Sequence, residues 1–481
     1  MKVAFLASEV NPYAKTGGLA DVAGSLPKFL VRQGAEVRTF MPLYREVRKK
    51  SLPLEPVLDK AKLTMGGRSI PYAVFAHRAE GVTTFFVDHP GYFDRDALYG
   101  TPAGDYPDNA ERFGFFSRAA LETMRAVGFR PAIVHAHDWQ AAAAVAYLRF
   151  VHAGDPFFSG ARSVFTIHNL AYQGLFGKEV LPAIGLPESL FNMNDLEFFG
   201  QVNTLKAGIL YSTAVTTVSP RYSREIQTPE FGCGLDGLLR SRAGVLHGIL
   251  NGVDYQDWDP ATDPLIPRNY APGDLAGKKA CREELARLFG LALQPGRPLA
   301  GMVTRLAGQK GLDIVCEALE ALLGQGLSLV ILGTGDRKIQ DFLAAAQKKH
   351  AAQFGLKIAF DEKIARTIYA GSDIFLIPSR YEPCGLTQMY AMRYGTVPVV
   401  RATGGLDDSV EEFDAAAAAG NGFKFAEAAP GPLLEASARA VAAFGRPADW
   451  SALVRNAMSA DFSWGRSAET YLGLYEMIAA S

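Results

Sequence analysis

Long apolar runs are missing from this chain of 481 residues, and nothing in it approaches the roughly 20 uninterrupted residues that cross a bilayer. The apolar start, residues 1–7, is cut short by Glu9, Asn11 and Lys15 before it reaches the length of a secretory leader's core. Cysteine is scarce as well. Cys233, Cys281, Cys316 and Cys384 stand far apart and form no C-x-x-C pair, which argues against a disulfide framework or a zinc site. An excess of charge of one sign is also lacking. The formal net charge is -1, so there is no general attraction to nucleic acid or acidic membranes, and an anionic ligand must be held by local cations. Two common phosphate motifs are absent: there is no P-loop, and Gly333-Thr334-Gly335-Asp336 lacks the third glycine of the dinucleotide fingerprint. No short-period repeat is present. The composition, 48% hydrophobic and 21% charged, is ordinary for a soluble globular protein too long for one core, and the scattered cysteines fit a reducing cytoplasm.

What is present is a series of short β-branched runs, each ending in polar or glycine-rich residues and usually followed by a helical pattern. In the first half these are residues 3–7, 133–135, 164–167 and 215–218; in the second, 299–303, 327–332, 374–377 and 397–400. Strands alternating with helices predict parallel sheets covered on both faces, and two such series predict two Rossmann-like, doubly wound domains. Residues 251–272 crowd Asp254, Asp257, Asp259, Pro260, Asp263, Pro264 and Pro267 together without periodicity, which reads as a linker. The predicted domains are residues 1–255 and residues 256–459, followed by a helix within 460–481.

Ligands of open parallel sheets bind beyond the carboxyl ends of the strands, so the segments that follow the strands carry the functional reading. After the first strand comes Lys15-Thr16-Gly17-Gly18-Leu19, a cation and two glycines ahead of a helix patterned by Leu19, Val22, Leu26, Phe29 and Leu30. Helix N-termini favour anions, and glycines let the backbone approach them closely, so this reads as a phosphate seat or else as an ordinary strand-to-helix turn. Elsewhere the strands lead to His137-Asp138-Trp139, to His168-Asn169, to Arg305 and Lys310, and to Glu382-Pro383-Cys384-Gly385-Leu386. Lys15, Arg305 and Lys310 suit a diphosphate that is also a leaving group, while Asp138 and Glu382 suit sugar hydroxyls and an oxocarbenium-like centre. His135 and His137 alternate along one strand and with Asp138 mimic a metal cluster; hydrogen-bonding histidines are the preferred reading, and no metal is expected. Asp94-Arg95-Asp96 and Asp257-Trp258-Asp259 read as loop residues. Tyr92, Phe93, Tyr99, Tyr106, Trp139 and Tyr172 fall in or beside predicted loops, where ring faces suit sugars as readily as packing.

With these motifs the chain resembles the bacterial glycogen synthase and plant starch synthase family. The resemblance is carried by the 15–22 segment KTGGLADV, the 135–139 segment HAHDW, the 166–174 segment TIHNLAYQG, Arg305 with Gln309-Lys310-Gly311, the 382–388 segment EPCGLTQ and Thr403-Gly404-Gly405-Leu406. It implies a GT-B architecture, two Rossmann-like domains facing a central cleft, with the helix within 460–481 returning to the first domain. It also implies retaining transfer of glucose from ADP-glucose to the non-reducing end of an α-1,4-glucan, with ADP-glucose and glucan as partners and no separate cofactor. By the same resemblance Glu382, His168, Asp138, Arg305 and Lys310 are catalytic. The donor is contacted by Lys15, Gly17, Gly18, Asp21, Asn251, Arg305, Lys310, Phe360, Cys384, Gly385, Leu386 and Thr387. Tyr92, Tyr99, Trp139, Asn169 and Tyr172 are candidate acceptor contacts. One departure stands out: Ala359-Phe360-Asp361 replaces the family's usual Gly-Tyr pair, keeping a stacking face without the hydroxyl and leaving the donor base less fixed. Related retaining transferases carry a second glutamate eight residues after the first, where this chain has Tyr390. A non-catalytic nucleotide-sugar sensor and a phosphorylase are the other readings, the latter without a recognisable lysine for pyridoxal phosphate.

Overall fold

A computed structural model describes residues 1–480. The chain divides into two compact units, residues 1–252 with the chain from Trp464 onward, and residues 253–463. Within the described residues the first unit is built on a nine-stranded sheet. Its strands run, edge to edge, Leu246–Gly248, Ala214–Thr217, Arg162–Ile167, Ile133–His137, Lys2–Leu6, Glu36–Pro42, Val82–Asp88, Arg68–Ala79 and Glu55–Met65. The first seven pair in parallel, and the last two join by antiparallel pairing.

Neither Glu36–Pro42 nor the three strands within residues 55–88 was among the expected strands. The signal for one of their turns was present: Gly66 and Gly67 both have positive φ, 56° and 72°, the pairing that a tight hairpin between Glu55–Met65 and Arg68–Ala79 requires. Glu55–Met65 and Arg68–Ala79 are largely exposed on one face, so they lack the continuous apolar runs that marked the buried parallel strands.

Helix Gly18–Arg32 buries Leu19, Val22, Leu26 and Leu30, the spacing read from sequence, and the chain leaves it through Gly34 at φ 92°. The C-terminal helix Trp464–Ala480 packs against it with Trp464, Tyr471 and Tyr475 buried. Strand order in this sheet reverses between Lys2–Leu6 and Ile133–His137, which makes their carboxyl ends a topological switch point. The Lys15 turn follows one of these strands and Asp138 the other.

The second unit has a six-stranded parallel sheet in the order Phe354–Lys357, Ser328–Leu332, Leu299–Val303, Ile374–Ile377, Val397–Arg401 and Phe423–Phe425. Its switch point lies between Leu299–Val303 and Ile374–Ile377.

The linker reading of residues 251–272 is corrected in part: the two units divide between Gly252 and Val253 within this stretch, but several of its residues are packed while others are exposed. Asp263 is 2% exposed and meets the Arg366 guanidinium at 3.2 Å and the Tyr394 hydroxyl. The same guanidinium lies 3.6 Å over Trp258, and Trp258 stacks on Tyr390 at 3.5 Å with the rings 4° apart. A buried ion pair that finds its hydrogen bonds and a ring face is ordered structure, and it gives turn-rich composition a different meaning from flexibility. Tyr390, eight residues after Glu382, is a core residue of this stack.

Candidate functional site

In the second unit two loops meet at the switch point. Strand Leu299–Val303 runs into Thr304 and Arg305, then a short 3-10 turn, Gly308–Lys310, and Gly311 in the left-handed region at φ 70° before helix Leu312–Gly324. Gly311 is required by space as well as by backbone, because a Cβ there would lie 2.0 Å from the Pro378 carbonyl oxygen. That close approach lays the first loop against the segment after Ile374–Ile377. Gln309 accepts the Arg380 N–H at 2.8 Å on its carbonyl, and its side-chain amide donates to the Tyr381 carbonyl at 3.3 Å.

The result is a charge pair at the strand ends. Lys310 Nζ reaches Glu382 Oε2 at 2.5 Å, and the Ser379 hydroxyl donates to the same oxygen at 2.9 Å. Glu382 is 8% exposed, so the partner ammonium and hydroxyl are what keep its charge tolerable there. Arg305 stands exposed beside them, its guanidinium on Gln309 Oε1 at 2.9 Å. Together Thr304, Arg305, Lys310, Ser379, Glu382 and Thr387 line a cavity of about 200 Å³.

The backbone of 382–385 is held from behind. A Cβ on Gly404 would fall 1.9 Å from the Glu382 carbonyl oxygen, and one on Gly405 would fall 2.0 Å from that of Cys384. Gln388, fully buried in helix Thr387–Arg393, donates to the carbonyls of Cys384 and Gly385 at 3.1 and 2.9 Å. Cys384 is buried; Gly385, at φ 69°, and Leu386 are half-buried. Phe360 is 94% exposed on the loop between Phe354–Lys357 and helix Glu362–Gly371, whose N-cap is Asp361, accepting the Ile364 N–H at 2.9 Å. A phenyl ring so fully in water presents both faces to a ligand.

In the first unit Lys15, Gly17 and Gly18 are exposed, and Lys15 Nζ is paired with Asp21 at 2.6 Å. A Cβ on Gly17 or Gly18 would meet nothing within 4 Å. The phosphate-seat reading is modified in one respect: the Thr16 and Gly17 amides already donate to the buried Glu9 carboxylate, at 2.5 and 3.0 Å. Glu9 was passed over in the sequence because a lone acid after a strand carries no motif.

The strand Ile133–His137 carries two members of a histidine cluster, which His168 completes. His135 is spent structurally, on the Tyr475 hydroxyl at 2.7 Å and the Thr166 hydroxyl at 2.6 Å. His137 Nδ1 and His168 Nε2 are 2.9 Å apart, and His137 Nε2 is buried with no partner. Burial lowers all three histidines, His168 to about 3, so they are neutral hydrogen-bonding groups near neutral pH and poor proton carriers.

Asp138 sits at φ 54°, an uncommon conformation for a residue with a Cβ, and its carboxylate accepts the His168 N–H at 2.8 Å. Burial, with a smaller contribution from the nearby Glu9 charge, raises its pKa to about 7 against the opposing pull of the His168 and Asn169 amides. Asn251 is buried, its Oδ1 without a partner.

The five acceptor candidates separate. Tyr172 is 55% exposed and available to a ligand. Asn169 is half-buried and turns its Oδ1 to the Ala171 N–H at 3.1 Å. Tyr92 gives its hydroxyl to Glu111, and Tyr99 gives its hydroxyl to Glu9 at 2.6 Å. Trp139 is in helix Asp138–Phe150, not a loop, 9% exposed and packed edge-on to Phe113 at 5.2 Å, so its ring is committed to the core. Phe93 is likewise buried. Asp94 and Asp96 both turn to the Arg45 guanidinium, at 2.7 and 2.5 Å.

The chain's similarities to known proteins fit this geometry. Residues 2–241 match the family model of the starch synthase catalytic domain, and residues 287–444 that of glycosyl transferases group 1. A glycogen synthase of Anaeromyxobacter dehalogenans strain 2CP-C is 50% identical over 480 residues, covering 100% of both chains. One of Syntrophotalea carbinolica is 48% identical over 475 residues, covering 99% of this chain and 98% of its own. Among solved structures, the catalytic domain of starch synthase IV from Arabidopsis thaliana, bound to ADP and acarbose, superposes with a TM-score of 0.91 at 36% identity, covering 100% and 99% of the two chains. A sucrose-phosphate synthase from Thermosynechococcus elongatus, at TM-score 0.60 and 17% identity over 100% of both chains, shares the fold.

Proposed function

The chain belongs to the glycogen synthase and starch synthase family, and on that premise we propose a division of labour among its residues. The protein is a glycosyltransferase of GT-B fold that transfers glucose from ADP-glucose to the non-reducing end of an α-1,4-glucan, with retention and release of ADP. The observation that carries the residue roles is the Lys310–Glu382 pair at 2.5 Å on the wall of the switch-point cavity.

In the proposed reaction the bond between the anomeric carbon and the departing phosphate oxygen breaks, and the acceptor hydroxyl attacks on the same face. Its proton passes to that phosphate oxygen as it leaves. Lys310 and Arg305 offset the charge that grows on the diphosphate, and Glu382 favours the positive charge that grows on the sugar. Asp138 and neutral His168 hold sugar hydroxyls, Lys15 adds a cation for the diphosphate, and Phe360 stacks on the base. Asp21 holds Lys15 until donor arrives, and Asn251 is a further donor contact. Gly385, Leu386 and Thr387 follow the donor along the cavity. No metal and no separate cofactor takes part, because two side-chain cations do the work a divalent ion would do. The glucan is proposed to meet Tyr172 and Asn169.

Incubating the protein with an α-glucan and either ADP-glucose or UDP-glucose, and measuring nucleotide release, tests the reading; release that does not depend on glucan would overturn it. Replacement of Phe360 by alanine is expected to raise the KM for ADP-glucose roughly tenfold with little change in kcat, the worth of one base-aromatic stack. An unchanged KM in initial-rate measurements would remove Phe360 from the site.

A pH dependence follows from Asp138. Its pKa of about 7 belongs to the folded enzyme, and the ionised form is the one that holds hydroxyls and favours positive charge. Activity is therefore expected to fall as pH drops through about 7 and to level off above it. Asp138→Asn should be slow at every pH and lose that inflection in kcat/KM profiles.

A further inference from the structure

We propose that Glu9 is a positioning residue for the reaction, a buried latch that fixes the turn presenting Lys15 and Gly18. This rests on the donor reading of that turn given above. Four donors converge on the one carboxylate. Oε2 takes the Thr16 N–H at 2.5 Å and the Gly17 N–H at 3.0 Å, while Oε1 takes the Thr16 hydroxyl at 2.6 Å and the Tyr99 hydroxyl at 2.6 Å. Tyr99 also meets the Ser8 hydroxyl at 2.8 Å, so the latch is braced from the neighbouring residue.

Glu9 is 3% exposed, and none of these four partners is a cation. Amides and hydroxyls at the start of helix Gly18–Arg32 supply the compensation instead, where the helix dipole favours an anion. The turn itself has little else to define it. Lys15, Thr16, Gly17 and Gly18 are all exposed, and the space where side chains would stand on the two glycines is empty. A backbone without packed side chains keeps one conformation only if its polar groups are held, and here Glu9 holds the Thr16 and Gly17 amides while the Lys15 amide turns to Glu46. Lys15 does not share in the latch, since its ammonium is on Asp21. The carboxylate therefore shapes the turn without neutralising the cation that faces the ligand.

The two oxygens have different partners, and that makes the proposal testable. Backbone N–H groups can only donate, so Oε2 must remain an acceptor. Hydroxyls can either donate or accept, so the partners of Oε1 can reverse their roles. A glutamine with its oxygen toward Thr16 and Gly17 and its NH2 toward the two hydroxyls keeps every contact and loses only the charge.

Glu9→Ala is expected to lower kcat/KM for ADP-glucose by on the order of 100-fold, the cost of misplacing a substrate-positioning group. Glu9→Gln is expected to recover to within about fivefold of the parent enzyme, since the contacts survive. Hydrogen exchange of the ligand-free protein should show faster exchange of the Thr16–Leu19 amides in Glu9→Ala alone, with protection of the sheet strands unchanged. Equal loss in Glu9→Gln and Glu9→Ala would overturn the proposal in favour of a role for the charge, as would an Ala variant whose turn amides stay protected. If Lys15→Ala left kcat/KM unaltered, the donor reading of the turn would fail, and the exchange difference would still report the latch separately.

Discussion

Lys310→Ala is expected to lower kcat by about two to three orders of magnitude, the range seen when one preorganised stabiliser of transition-state charge is removed. The lysine does two things that alanine cannot do. Its ammonium neutralises Glu382 at 2.5 Å, and it stands on the cavity wall where the diphosphate's charge is proposed to develop. Its loss leaves a carboxylate that is 8% exposed and held by the Ser379 hydroxyl without its ammonium, a state that costs about 3 kcal/mol or more in stability for a well-buried pair. Lys310 is itself one-fifth exposed, so the stability loss should fall below that figure while the kinetic loss stays large. Arginine is not expected to rescue, because a planar fork cannot replace a compact ammonium held in this corner. Initial rates at saturating ADP-glucose, with denaturation curves run in parallel, separate the two effects. A double variant with Glu382→Gln should lose much less than the product of the single losses, since the two groups act as a unit. A near-normal kcat for Lys310→Ala would remove it from the mechanism.

The second large effect is expected from the addition of a single methyl group. Gly404→Ala puts a Cβ 1.9 Å from the Glu382 carbonyl oxygen on a residue whose φ is 45°. Backbone atoms cannot turn aside as side chains do, so the loop that carries Glu382 must move. Overpacking together with the left-handed backbone is expected to cost on the order of 3 kcal/mol. The bond from the Gly405 N–H to the Glu382 carbonyl, 3.2 Å, is the first to go, and the carboxylate moves with it. Expected results are a lower denaturation midpoint and, at temperatures where the variant is folded, a kcat/KM reduced by about 100-fold or more. Gly431→Ala is the control. That glycine lies in helix Pro430–Phe444 with open space about it, and alanine there should be neutral or stabilising by up to about 1 kcal/mol. Equal behaviour of the two variants would show that the rear packing of the 382–385 loop does not matter.

The parallel strands at the two switch points were legible in the sequence because they are buried on both faces and read as apolar runs. Leu299–Val303 and Ile374–Ile377 carry the bounds that were expected. The half-exposed strands Glu55–Met65 and Arg68–Ala79 lack that signature, and in residues 253–272 a turn-rich composition stood for packed structure. Lys15 in the first unit and Arg305, Lys310 and Glu382 in the second were picked out by position after strands, whereas no role was assigned to Ser379, Glu9 or Gln388, because their roles come from burial and from side-chain contacts that no spacing announces. Trp139 was misplaced for a related reason. A large ring beside a strand end looks available until the helix it begins is packed against Phe113 and Phe176.

The sequence by itself determined the two alternating α/β series, the glycine turns that follow their strands and the side chains able to meet a diphosphate and a sugar. These are local properties, set by periodicity, by conformational freedom at glycine and by charge. Tertiary structure alone decided which charges are paired and which are buried: Lys310 on Glu382, the Thr16 and Gly17 amides on Glu9, and Asp138 held near pKa 7 by desolvation. The cost of a buried charge depends on whatever atoms surround it in space, and those atoms are assembled only when the chain folds.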